Sequence, residues 1–179
     1  MRVGLKIVLL SAFLLPTAQA QANEKTWATA SDVGAYGLTA IALGLPLIKG
    51  DTQGALQAGG SVAAATLITT GLKEAFPELR PDGSDRKSFP SGHTSMAFSA
   101  ASSLFNRHGQ SVGLPALAVA TFVGIARVKA DKHHWYDVVV GAGIGAGAGF
   151  LITNKPNAKV AMIPWGDTKG GGISMAMRF

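Results

Sequence analysis

The sequence predicts an all-α protein: a membrane-embedded bundle of about five helices that follows a signal peptide and ends in a short β-hairpin tail. Three observations lead there. Residues 33–48, 52–72, 94–106, 111–126 and 138–154 contain no Asp, Glu, Lys or Arg. None of these stretches alternates apolar and polar residues with period two, so helix fits them better than strand. A soluble helix carries charge on its outer face, whereas these carry none, and most approach the ~20 residues that cross a bilayer.

The first element is residues 1–20. Arg2 and Lys6 precede an apolar run at residues 7–15, and Ala18-Gln19-Ala20 follows. That order is a secretory signal peptide, and the run is short for a membrane span; a retained N-terminal anchor is the alternative. Cleavage after Ala20 would remove Arg2 and Lys6 and lower the formal net charge from +6 to +4. The remaining excess gathers in a few places, which points to local anion binding and away from a nucleic-acid surface. Cysteine is absent, so disulfides and thiolate metal sites are excluded.

Residues 21–154 form the expected helical domain. Residues 94–106 are short for a lone span. In 138–154, Gly141, Gly145 and Gly149 recur at steps of four, a groove that lets another helix approach closely. A glycine-rich phosphate loop is the competing reading, disfavoured because no lysine follows in the required place.

Charge falls into the connections, mainly residues 73–87 and 127–137. If the five stretches alternate in direction, these two loops emerge on one side of the bundle, and the turns near Lys49 and Arg107 on the other. Residues 155–179 form the tail. There, residues 160–163 and 173–179 read as two short strands around a Gly-rich turn.

Three clusters carry chemistry: Lys73 with Arg80-Pro81; Pro90-Ser91-Gly92-His93; and Arg127 with His133, His134 and Asp137. Singly, each has a plain reading as membrane-flanking cations, a helix cap or an interfacial histidine. Together, on one face, they form an anion cradle. Lys73, Arg80 and Arg127 supply cations, with arginine forks suited to phosphate. Ser91 and Gly92 add hydroxyl and amide donors at a helix start. If helix begins at Lys132, His133 and Asp137 share a face at i and i+4. His134, at i+3 from the same carboxylate, is equally available on geometry.

The spacings Lys73-x6-Arg80-Pro81, Pro90-Ser91-Gly92-His93 and Arg127-x5-His133-x3-Asp137 resemble the three-part signature of the type 2 phosphatidic acid phosphatase superfamily. That group holds lipid phosphate phosphatases, class A acid phosphatases and vanadium haloperoxidases. The resemblance runs from Lys73 to about Gly149, and the stretch "KHHWYD" looks like the lipid-acting branch. Ala126 departs from the serine often found before the third-cluster arginine, which removes one hydroxyl.

The resemblance implies a hydrolase of lipid phosphates or pyrophosphates with His133 as nucleophile, Asp137 orienting it and His93 as acid and base. Lys73, Arg80, Ser91, Gly92 and Arg127 would bind phosphate. Neither metal nor cofactor is expected, and Asp82 and Asp85 have no histidine neighbours in sequence. Undecaprenyl pyrophosphate, phosphatidylglycerol phosphate and a lipid A phosphate are the candidate substrates. The expected setting is a bacterial inner membrane with the site facing the periplasm. The alternatives are a soluble periplasmic acid phosphatase, a haloperoxidase, or a non-catalytic phosphate-binding envelope protein; the sequence does not speak to oligomeric state.

Overall fold

The computed structural model describes residues 4–155, 160–167 and 169–177. Five helices stand where the uncharged stretches predict them. They are α1 (Gly4–Ile48), α2 (Thr52–Ala75), α3 (Gly92–His108), α4 (Gln110–Lys129) and α5 (Trp135–Ile152). α1 begins far ahead of residue 33 and runs unbroken through the expected cleavage region. Residues 1–3 of the expected signal peptide lie outside the described residues.

α3 sits at the centre, packed against all four other helices. Its place explains its composition. It is short and rich in Ala and Ser, and Thr94, Ser95, Ser99, Ser102 and Ser103 are all buried. The surrounding helices cover it, so it needs no apolar outer face of its own. α1 over Asn23–Ile48, α4 and α5 are each long and apolar enough to cross a membrane.

Size is sorted inversely to a soluble protein. The buried cluster is mainly alanine, joined by Leu38, Leu104 and Val123. Large apolar side chains such as Val33, Ile41, Leu56, Leu67, Phe122, Val139 and Leu151 point outward. Without a hydrophobic drive between helices in lipid, small residues favour close packing and large ones face the acyl chains.

The α5 glycines make the tightest of these contacts, and here the need for glycine is explicit. A Cβ on Gly141 would come within 2.5 Å of the Ser91 carbonyl oxygen, and one on Gly149 within 2.7 Å of the Ser99 carbonyl oxygen. One on Gly145 would overlap the Ser95 carbonyl outright. α5 therefore lies directly on α3.

Helix direction alternates, as expected. At one end, the Asp51 carboxylate caps α2 through Gly54 N–H at 2.9 Å and pairs with Arg107 at 2.5 Å. Arg107 also donates to the Asn154 carbonyl at 2.7 Å, which ties the α1–α2 turn, the end of α3 and the end of α5 together. Residues 76–91 and 130–134 lie at the other end.

The tail forms an antiparallel hairpin, β1 (Val160–Asp167) with β2 (Gly170–Met177), in register from Val160↔Met177 to Asp167↔Gly170. Its strands take up most of the expected Gly-rich turn. Gly166 pairs with Gly171, and Trp165 with Gly172.

Candidate active site

Two connections build the site. The first, residues 76–91, folds back on itself. Ser88 N–H donates to the Glu78 carbonyl at 3.0 Å, Arg80 N–H to Asp85 at 3.0 Å, and Gly83 N–H to Arg80 at 2.9 Å. Gly83 has φ of 70°, which a glycine adopts freely. The second connection, residues 130–134, is laced to the first. Asp82 N–H donates to the Asp131 carbonyl at 3.1 Å, and the Asp82 carboxylate pairs with Lys132 at 2.5 Å.

These loops aim the cations. Arg80 is held by Asp85 at 2.7 Å and donates through NH1 to the Lys132 carbonyl at 3.0 Å. The same NH1 lies 3.5 Å from His133 Nε2. Lys73, in the last turn of α2, reaches across to the carbonyls of Pro90 at 2.6 Å and Lys87 at 2.7 Å. Arg127 is buried in α4, where its charge meets Asp32 at 3.6 Å and Ser31 Oγ at 3.3 Å. A buried charge requires such partners.

Lys73, Arg80, Gly92, His93, Arg127 and His133 line one cavity of about 250 Å³. It continues along the α2–α3 groove past Thr69, Thr70, Thr66 and Met96. Six of the eight predicted site residues thus share one wall. Asp137 stands behind His133, its Oδ2 3.6 Å from His133 Nδ1. The remaining one, Ser91, is fully buried, and its hydroxyl pairs with Thr94 Oγ1 at 2.9 Å instead of opening into the cavity.

The expected helix start at Lys132 is corrected. α5 begins at Trp135, because the Asp137 carboxylate accepts from His134 N–H at 2.9 Å and fixes the first turn there. His133 lies before the helix and still meets Asp137 through Nδ1. Arg80 NH1 can only donate, so the Nε2 it faces carries the lone pair and the ring hydrogen sits on Nδ1, on the side of Asp137. His133 is 2% exposed. Burial, followed by the surrounding cations, pushes its imidazole down to about 4 against the opposing pull of Asp137. The ring is therefore neutral near pH 7, the state a nucleophile needs.

Several partners carry no motif in the sequence. Ser88 Oγ donates to Asp137 Oδ2 at 2.5 Å. Asp32, from α1, pairs with His93 Nε2 at 3.0 Å. Both are short polar residues in unremarkable local sequence, and only the fold brings them in. Glu78, His134 and Asp137 also come within reach of one another. Each is otherwise engaged: Glu78 accepts from Tyr136, Asp137 from Ser88, and His134 stacks on Tyr136 at 5.1 Å.

Comparison with known proteins bears on the fold and on the stretch that carries the site. Residues 82–161 match the PAP2 superfamily, starting just after Arg80 and running through α5. A lipid A 4'-phosphatase of Helicobacter pylori is 33% identical over 119 residues, spanning 58% of this chain and 60% of that protein. The crystal structure of Aquifex aeolicus LpxE superposes with a TM-score of 0.60 at 25% identity, over 70% of this chain and 82% of that one. A transmembrane PAP2-type phosphatidylglycerolphosphate phosphatase from Bacillus subtilis shares the fold at a TM-score of 0.58 and 23% identity, over 83% and 90% of the two chains. The chain spans about 60% of the length of the Helicobacter relative. With the signature residues gathered at one end of the bundle and the fold held in common with these proteins, residues 82–161 are those in which the chain resembles the PAP2 superfamily.

Proposed function

We propose that the chain is a metal-independent phosphatase of lipid phosphates that works through a phosphohistidine intermediate at the periplasmic face. The observation that carries this reading is the cavity wall that combines three cations, the Gly92 helix start and two histidines beneath the ends of uncharged helices.

His133 Nε2 attacks phosphorus in line with the bond to the leaving oxygen, which breaks as the N–P bond forms. His93 gives its proton to that oxygen. Lys73, Arg80, Arg127 and the Gly92 amide neutralise the equatorial oxygens, the largest contribution in such transfers. Asp137 holds the imidazolium that develops on His133. Water then attacks phosphorus, His93 takes its proton, and the N–P bond breaks to release phosphate.

A lipid is the favoured substrate class. Beyond the cations the cavity continues along α2 to Thr66, seven residues and roughly 10 Å from Lys73. That groove suits the part of a lipid next to its phosphate. Among lipid A phosphate, undecaprenyl pyrophosphate and phosphatidylglycerol phosphate, the first is favoured by the likeness to the Helicobacter pylori protein named a lipid A 4'-phosphatase.

The test is phosphate release by detergent-purified protein with EDTA present, from those three lipids and from p-nitrophenyl phosphate, alongside His133→Ala. Release from a lipid that the variant loses by at least ~10³-fold, with an acid-labile phosphoenzyme in wild type alone, is the expected result. Preference for the soluble ester would point to a general acid phosphatase, and release abolished by EDTA would refute metal independence.

A further inference from the structure

The α1 helix supplies a face to the site that lies outside all three signature clusters. Asp32 Oδ1 is 3.0 Å from His93 Nε2 and 3.6 Å from Arg127 NH1. Ser31, fully buried, accepts from the same NH1 at 3.3 Å. One turn further along, Tyr36 packs edge-on against the His93 ring, with centroids 5.8 Å apart and planes at 75°. Three residues of one helix thus hold a histidine and an arginine that come from two others.

We propose that Asp32 is a positioning residue for His93, holding the ring with its Nε2 hydrogen on the carboxylate and its Nδ1 turned to the leaving oxygen. The inference rests on the phosphatase reading above. A carboxylate only accepts, so the nitrogen facing it carries the hydrogen and the exchangeable proton belongs to the other. Tyr36 limits rotation of the ring about that contact. Because Asp32 also touches Arg127, one side chain aligns the proton donor with a cation of the phosphate cradle. Its own side chain is half-exposed, so it contributes little to packing.

The experiment follows single-turnover release of the leaving group, which precedes the attack of water, and compares an alkyl lipid phosphate, whose leaving oxygen needs a proton, with p-nitrophenyl phosphate, whose leaving group needs little help. Wild type, Asp32→Asn, His93→Ala and the double variant are measured on both. Asp32→Asn is expected to slow release of the alcohol roughly 10- to 100-fold while changing release of nitrophenol less than about threefold. His93→Ala should show the same bias more strongly, and the double variant should be no worse than His93→Ala. Equal loss on both substrates, or additive losses, would overturn the proposal.

A second readout needs no turnover. Ring 15N NMR of the histidine-labelled protein, assigned with His93→Gln, should show the Nε2–H tautomer at His93 in wild type and its loss in Asp32→Asn. An Nδ1–H tautomer in wild type would overturn the proposal. If wild type hydrolyses neither substrate, the phosphatase reading fails while the tautomer still decides the role of Asp32.

Discussion

His133 Nδ1 lies 3.6 Å and His134 Nδ1 3.5 Å from the same Asp137 oxygen, so distance to the carboxylate does not separate the two histidines. Their surroundings do. His133 lines the cation-walled cavity, whereas His134 is a third exposed, stacked on Tyr136 and beside Glu78. Spacing alone left both open, because the distinction lies in which ring the loop turns inward. The buried neutral ring has a cost in acid. His133 is held down to about 4 from its ordinary 6.5. Between those values the unfolded chain binds a proton that the folded chain does not, so stability from this group is full above pH 6.5 and falls as pH drops towards 4. The loss reaches about 3 kcal/mol below pH 4. Thermal unfolding followed from pH 7.5 to 4.5 should show wild type losing more stability than His133→Gln, and parallel curves would contradict the assignment. His134→Ala should retain lipid turnover within roughly threefold of wild type, since it removes no cavity-lining group.

At the scale of the helix, the uncharged stretches marked all five elements well, because a missing charged face is visible without any partner. Helix ends were less legible. They depend on side chains arriving from elsewhere or from the next turn, as Asp137 sets the start of α5 at Trp135. The glycine face of α5 was legible because steps of four are a local property. Its partner, α3, was not identifiable from spacing. This interface makes a sharp prediction. Gly145→Ala places a methyl group against α3 backbone, including Ser99 N at 2.9 Å, and backbone cannot rotate away. The expected cost is about 1–3 kcal/mol, with reduced activity because α5 carries Asp137. Gly143→Ala and Gly147→Ala meet nothing within 4 Å and should leave the unfolding temperature in detergent level or slightly raised. Equal behaviour of all three variants would show that α3 and α5 are not packed through Gly145.

For the whole molecule, two physical signals compete to set which end of the bundle faces outward. An exported N-terminus sends α1 inward from the periplasm and brings α2 back, which puts the site outside. Counting Lys and Arg in short connections points the other way: Lys73, Arg80, Arg86, Lys87, Arg127, Lys129 and Lys132 lie at the site end, against Lys49, Arg107 and Lys155 at the opposite end. Most of the former are committed. Arg80, Lys87, Arg127 and Lys132 are paired with Asp85, Glu74, Asp32 and Asp82, and Lys73 is held by carbonyls, so their weight as topogenic charges is reduced. The proposed periplasmic site therefore follows the expected signal peptide over the charge count. The chain has no cysteine, which allows a direct test. Single cysteines replace Ser84 at the exposed tip of the site loop or Lys49 at the other end, and a membrane-impermeant maleimide is added to intact cells whose outer membrane admits it. Labelling of the position 84 variant with protection of position 49 until the inner membrane is lysed is the expected pattern. The reverse pattern would place the cradle in the cytoplasm and restrict the substrate to lipids presented there.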